Sequence, residues 1–134
     1  ANLKGANLAG VNLFHANFDR ANLEGANLAG ANLTMANLPS ANLKGANLES
    51  ADLYEAKTYR ANLESANLYN ASLWKALMMS ANLRGADLRE ADLSEADLDG
   101  ADMTGANLDG ANIKDTSMYD TILDGVDLNA VVED

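Results

Sequence analysis

His15 is the only histidine in the 134-residue chain, and cysteine is absent. Nucleophilic catalysis needs a base within hydrogen-bond reach of the nucleophile, and a lone imidazole with no thiol leaves nothing to assemble. Missing cysteine also removes disulfides and thiolate zinc sites. Ser40, Ser50, Ser65 and Ser80 recur at multiples of five, which marks a structural slot rather than a nucleophile. Asp92, Glu95, Asp97 and Asp99 place four carboxylates within eight residues. Neither an EF-hand loop nor a glycine-rich nonapeptide repeat surrounds them. The expectation is a chain that is not an enzyme, with no catalytic, cofactor-binding or metal-ligating residues.

The elements that hold these groups are written in fives. From Ala1 to Ala130 the chain divides into 26 pentads without an insertion, leaving Val131–Asp134 as a short tail beyond a single domain over 1–130. The first position is Ala in 22 pentads, the second Asn in 15 and Asp in 6, the third Leu in 20, and all ten glycines fall at the fifth. On a helix, five residues advance about 140°, so the leucines would spiral over every face. On a straight strand an odd period flips successive leucines to opposite sides. The chain must therefore turn once per pentad, with positions one and three inward. Repeated corners of one hand wind it into a coil, and stacked coils pair by parallel β-type hydrogen bonds, an all-β solenoid.

The departures from consensus set the size of the coil. Phe18, Thr58, Met78 and Met118, four of the six residues that replace the central Leu, lie 20 or a multiple of 20 apart, in the column that also holds Leu38 and Leu98. Lys57, Leu77 and Ser117, three of the five second positions that are neither Asn nor Asp, fall on the same face. Lys4, Glu24, Lys44, Glu64 and Arg84 alternate in sign at the same interval. Four pentads per coil is the expectation, about 6.5 coils forming a rod roughly 31 Å long. Its core holds columns such as Leu3, Leu23 and Leu43, and Thr58 beside Met78 reads as one volume compensating another. Sixteen of 26 fifth positions are not Gly, so the corner is expected to be open to ordinary L-residues. Pro39, without an N–H, belongs where none is needed.

Runs such as Ala21-Asn22-Leu23-Glu24-Gly25 and Ala96-Asp97-Leu98-Asp99-Gly100 resemble the pentapeptide-repeat family, and the resemblance covers residues 1–130. It implies a right-handed quadrilateral β-helix, the handedness coming from the resemblance alone. Leucine-rich repeats need a longer unit than this strict five.

Charge and apolar surface suggest two kinds of partner. The net charge of −11 and pI near 4.2 exclude direct nucleic-acid binding, which needs cations against phosphates. No apolar run approaches 18 residues, so no membrane span is expected. With no targeting segment visible, the cytoplasm is the expected location, and a first residue other than Met reads as an excised piece. Residues 1–86 carry 7 bases and 6 acids, whereas 87–134 carry 2 against 14. The acidic surface comprises Asp87, Glu90, Asp92, Glu95, Asp97, Asp99, Asp102 and Asp109. Some relatives in the resembled family inhibit DNA gyrase as acidic rods that mimic duplex DNA, which makes a topoisomerase-binding DNA mimic the alternative function. Its acidic stretch of about 12 Å is only a third of a DNA turn of about 34 Å. The leading expectation is a non-catalytic protein-interaction module with an unidentified protein partner. Its patch comprises Phe14, Tyr54, Tyr59, Trp74, Leu77 and Met79, rimmed by Lys57, Arg60 and Lys75. Aromatics with Arg are typical interface anchors. Neither end shows a capping helix pattern, so end-to-end pairing into a homodimer, or a missing flanking domain, is the physical expectation.

Overall fold

The computed structural model describes residues 1–132, and Glu133 and Asp134, the last two acids counted above, lie outside them. Second-position residues pair in parallel with those 20 further on, from Asn2 with Asn22 to Asn112 with Val132. Each pairing is an isolated bridge rather than a multi-residue strand, because the chain turns again after three residues. Val131 and Val132, outside the repeat by sequence, extend this stacking: Val132 N–H donates to Ala111 O at 2.7 Å. The face at Asn107 is the exception, making no bridge to Asp127 among the described residues.

In a consensus interior pentad every N–H has a partner. In Ala41–Gly45, Ala41 N–H closes a turn onto Leu38 O (3.1 Å) and Asn42 N–H reaches Ala21 O on the preceding coil (2.9 Å). Leu43 and Gly45 donate to Asn62 O (2.7 Å) and Glu64 O (2.9 Å) on the following coil. The fifth donor, Lys44 N–H, is met by the Asn42 side chain at 3.1 Å. Position two is therefore Asn or Asp because a short side chain must return an acceptor to the N–H two residues on. Amides also ladder between coils, as from Asn32 to Asn12 (3.2 Å) and Asn67 to Asn47 (3.3 Å). Where Ser117 cannot reach, Asp99 from the preceding coil accepts Tyr119 N–H at 2.9 Å instead.

The corner differs from its expectation. All 25 fifth positions from Gly5 to Gly125 have positive φ, and 15 of them are not glycine. These side chains occupy the left-handed region, at φ 52–60°, at a cost of roughly 1–2 kcal/mol each. None is β-branched, the class for which that region is most hostile. Positive φ at the third of four residues, closed by a bond from the fourth to the first, is the geometry of a type II turn. Pro39 fills its second place, where Pro is favoured and no N–H is called for.

Ala and Leu fill the interior. Leu23, Leu38, Leu43, Met78 and Leu98 are at most 1% exposed, and so is Thr58, whose hydroxyl bonds Leu77 O at 3.4 Å. Leu3 and Phe18 in the first coil and Met118 near the other end are only partly buried. The alternating charge column yields one ion pair, Lys4–Glu24 at 3.9 Å; Arg84 turns to Asp102 at 3.1 Å instead of Glu64.

Two aspartates at position two titrate low. Arg89 donates to Asp87 at 2.7 and 2.9 Å and holds its carboxyl below the usual aspartate value. The Thr104 hydroxyl (2.6 Å) and N–H (3.0 Å) do the same for Asp102, with Arg84 adding to the effect. Folded-state pKa values below the unfolded one mean that this stability is complete above about pH 4 and is lost as pH falls through the folded value. Thermal midpoints should hold above about pH 5 and decline below about pH 4. The double variant Asp87→Asn with Asp102→Asn keeps both backbone acceptors but takes up no proton, and should flatten that decline. An unchanged acid profile counts against these two carboxylates as its source. At the corner, Ser65→Gly should stabilise the fold by about 1 kcal/mol, and Ser65→Val should destabilise it by more. Equal melting temperatures would refute the strain.

Candidate interaction surface

The four corners of the coil are not equivalent. At the first, the fifth positions are Gly5, Gly25, Gly45, Ser65, Gly85, Gly105 and Gly125. At the third they are His15, Met35, Glu55, Lys75, Glu95 and Asp115, with no glycine although all six sit at positive φ. The residues before them include Phe14, Tyr54 and Trp74, so this corner carries large side chains on both of its outer positions.

Tyr54 and Trp74 stack one coil apart, with ring centroids at 4.8 Å and planes tilted by 38°. The Lys75 ammonium lies 5.0 Å from the Trp74 ring centre and 3.8 Å from Glu95, to which the Trp74 indole N–H donates at 3.4 Å. The neighbouring Glu55 carboxylate pushes the Tyr54 phenol pKa upward by accepting from it. Beside this stack runs a groove of about 740 Å³ along five coils, floored by second-position residues including Lys57 and Leu77 and walled by the third-corner column from His15 to Glu95. On the other side of the Lys57–Leu77 face, Tyr59, Arg60 and Met79 join Pro39, Ser40 and Ser80 around a hollow of about 310 Å³.

The structure thus brings Tyr54, Trp74, Lys75, Lys57 and Leu77 together, with Tyr59, Arg60 and Met79 across the same face. Phe14 stands apart, two coils from Tyr54, with its ring against His15 at 4.5 Å. Tyr69, on another corner, packs under Arg89. Met35, Glu55 and His15 were not read as part of a site, yet they wall the groove. The signal available in the sequence was the one fifth-position column without glycine.

The acidic residues divide by duty. Asp87, Asp92, Asp97 and Asp102 each accept the N–H two residues on, and Asp99 serves Tyr119. Glu90, Glu95 and Asp109 are exposed at corners. Among the described residues no three His, Cys, Asp or Glu gather as a metal site. Among the described residues no helix is long and apolar enough to cross a membrane.

Residues 1–29, 21–57, 59–94 and 91–129 match the pentapeptide repeats family, in eight copies. No curated protein matches the sequence. Among solved structures, a pentapeptide repeat protein from Nostoc Pcc 7120 is similar over 61% of this chain and 65% of its own, at 41% identity and a TM-score of 0.57. This chain therefore spans just under two thirds of that relative. Rfr23, a pentapeptide repeat protein of the cyanobacterium Cyanothece 51142, is 35% identical over 73% of this chain and 64% of its own, at a TM-score of 0.43. HetL of Nostoc sp. strain PCC 7120, involved in heterocyst differentiation regulation, is 26% identical over 98% and 84%, at a TM-score of 0.38. With the five-residue repeat, the 20-residue pairing interval and a family match over nearly all of its length, the chain belongs to the pentapeptide-repeat family, whose fold is the right-handed quadrilateral β-helix.

Proposed function

We propose that this chain is a non-catalytic protein-interaction rod, one domain over residues 1–130 of about six and a half coils, that engages a protein partner through its third corner. The observation carrying this reading is the glycine-free column from His15 to Asp115. Left-handed backbone disfavours every side chain there, and glycine meets the same geometry at the first corner. Six ordinary residues in one column are strain borne for what they present, and strain of this kind concentrates at functional sites. The stacked Tyr54–Trp74 pair supplies the rigid aromatic surface on which interfaces concentrate their energy.

A second reading, a DNA mimic acting on a type II topoisomerase, draws on the exposed corner acids Glu90, Asp109, Asp115, Asp120 and Asp124. Against it, five of the eight residues of the acidic surface are engaged with backbone N–H groups.

Changing Tyr54 and Trp74 together to Ser should weaken capture of the partner from a cell lysate by at least about tenfold while leaving the melting transition cooperative. Capture at the original level would overturn the third-corner assignment. A gyrase supercoiling assay separates the two readings. The interaction rod leaves supercoiling unchanged at micromolar protein and low salt, and inhibition under those conditions favours the DNA mimic.

A further inference from the structure

The fourth-position N–H, met elsewhere by an Asn or Asp two residues earlier, lacks an acceptor at Tyr59, Trp74, Met79 and Asp124 among the described residues, where position two is Lys57, Ser72, Leu77 and Ile122. Three of these four gaps lie on two adjacent coils. Tyr59 and Met79 are stacked, so their N–H groups repeat at about 4.8 Å. The side chains around them are cationic and apolar: Lys57 and Arg60 are exposed and make no ion pair within 4.0 Å among the described residues. Leu77, Tyr59 and Met79 supply half-buried apolar surface. The nearest acids on the following coil point elsewhere. Asp97 accepts from Asp99 N–H, and Asp99 accepts from the Ser117 hydroxyl (2.5 Å) and Tyr119 N–H (2.9 Å). In a chain of net charge −11, this is a local site with donors and cations; of the two carboxylates on the adjoining groove wall, Glu55 and Glu95, the second is paired with Lys75 at 3.8 Å.

We infer that the Lys57–Leu77 face binds an acidic peptide, a carboxylate side chain taking the place of the missing Asn or Asp at the N–H groups of Tyr59 and Met79. Lys57 and Arg60 neutralise the carboxylate, and an apolar neighbour in the peptide packs on Leu77 and Met79. Charged acceptors make stronger hydrogen bonds than the amides that serve this position elsewhere, so the partner improves on the internal arrangement it replaces. The inference rests on the interaction-rod reading and gives its partner a chemistry.

The test is fluorescence anisotropy with a labelled eight-residue peptide alternating aspartate and leucine, against a control alternating lysine and leucine. Saturable binding of the acidic peptide alone is expected, weakening as salt rises from about 20 to about 200 mM. Leu77→Asn restores the consensus acceptor with every charge intact. It should melt at a higher temperature than the native chain yet bind at least about tenfold more weakly. Lys57→Met, which removes the charge and leaves the N–H free, should weaken binding independently. Absence of saturable binding, or binding indifferent to Leu77→Asn, overturns the inference. If the Tyr54→Ser, Trp74→Ser chain still loses its lysate partner in that case, the interaction rod stands and only the acidic-peptide chemistry falls. Sedimentation at the same concentrations should give the native chain and Leu77→Asn the same mass, and self-association abolished by Leu77→Asn would make a second copy the occupant and overturn the peptide assignment.

Discussion

The fold depends on a corner that a backbone alone cannot complete. Turning a chain every five residues directs one N–H per pentad away from both neighbouring coils, and a side chain must answer it. That single donor explains why position two is Asn or Asp in 21 of 26 pentads. It also explains why the corner tolerates left-handed side chains. With four backbone bonds, and in most pentads a side-chain bond as well, fixing the turn, the φ of the fifth residue is set by its surroundings rather than by its own preference. The Ala and Leu core adds the burial that holds the coils together, but any small and medium apolar pair with this spacing supplies burial. The square corner is specified by the hydrogen bonds.

The period, the inward positions and the 20-residue register were legible from residue identities, because a core in a narrow rod punishes errors at positions one and three. The 20-residue spacing of Phe18, Thr58, Met78 and Met118 marks the column in the sequence itself. The corner was legible only in part. Glycine at ten positions advertised positive φ, but the fifteen other residues hid it, since strain borne by tertiary contacts leaves no mark in composition. What does mark it is the exclusion of β-branched residues from that slot. The third corner escaped for a related reason. Its aromatics were visible at position four, whereas Met35 and Glu55 became meaningful only once their backbone proved to be one that glycine would suit.

Acid in the last third of the chain looked like a single electrostatic feature and divides into two. Aspartates at position two serve the backbone, with Asp87 and Asp102 drawn low by their own donors. Corner acids such as Glu90 and Asp109 serve nothing internal. A count of charges merges these classes, and only position within the pentad separates them.

The interval of 20 has a consequence for how such chains diverge. The core reads the sequence modulo five, so gaining or losing one pentad leaves every Ala and Leu facing inward. The surface reads it modulo 20, so the same event rotates everything downstream by a quarter turn. An insertion of one pentad between Tyr54 and Trp74 would keep the rod and send the indole to a different side. Four such events would be needed to bring the stack back into line. Within one scaffold, then, folding is indifferent to a class of length change that recognition registers in full, and faces can be reshuffled without a single core substitution.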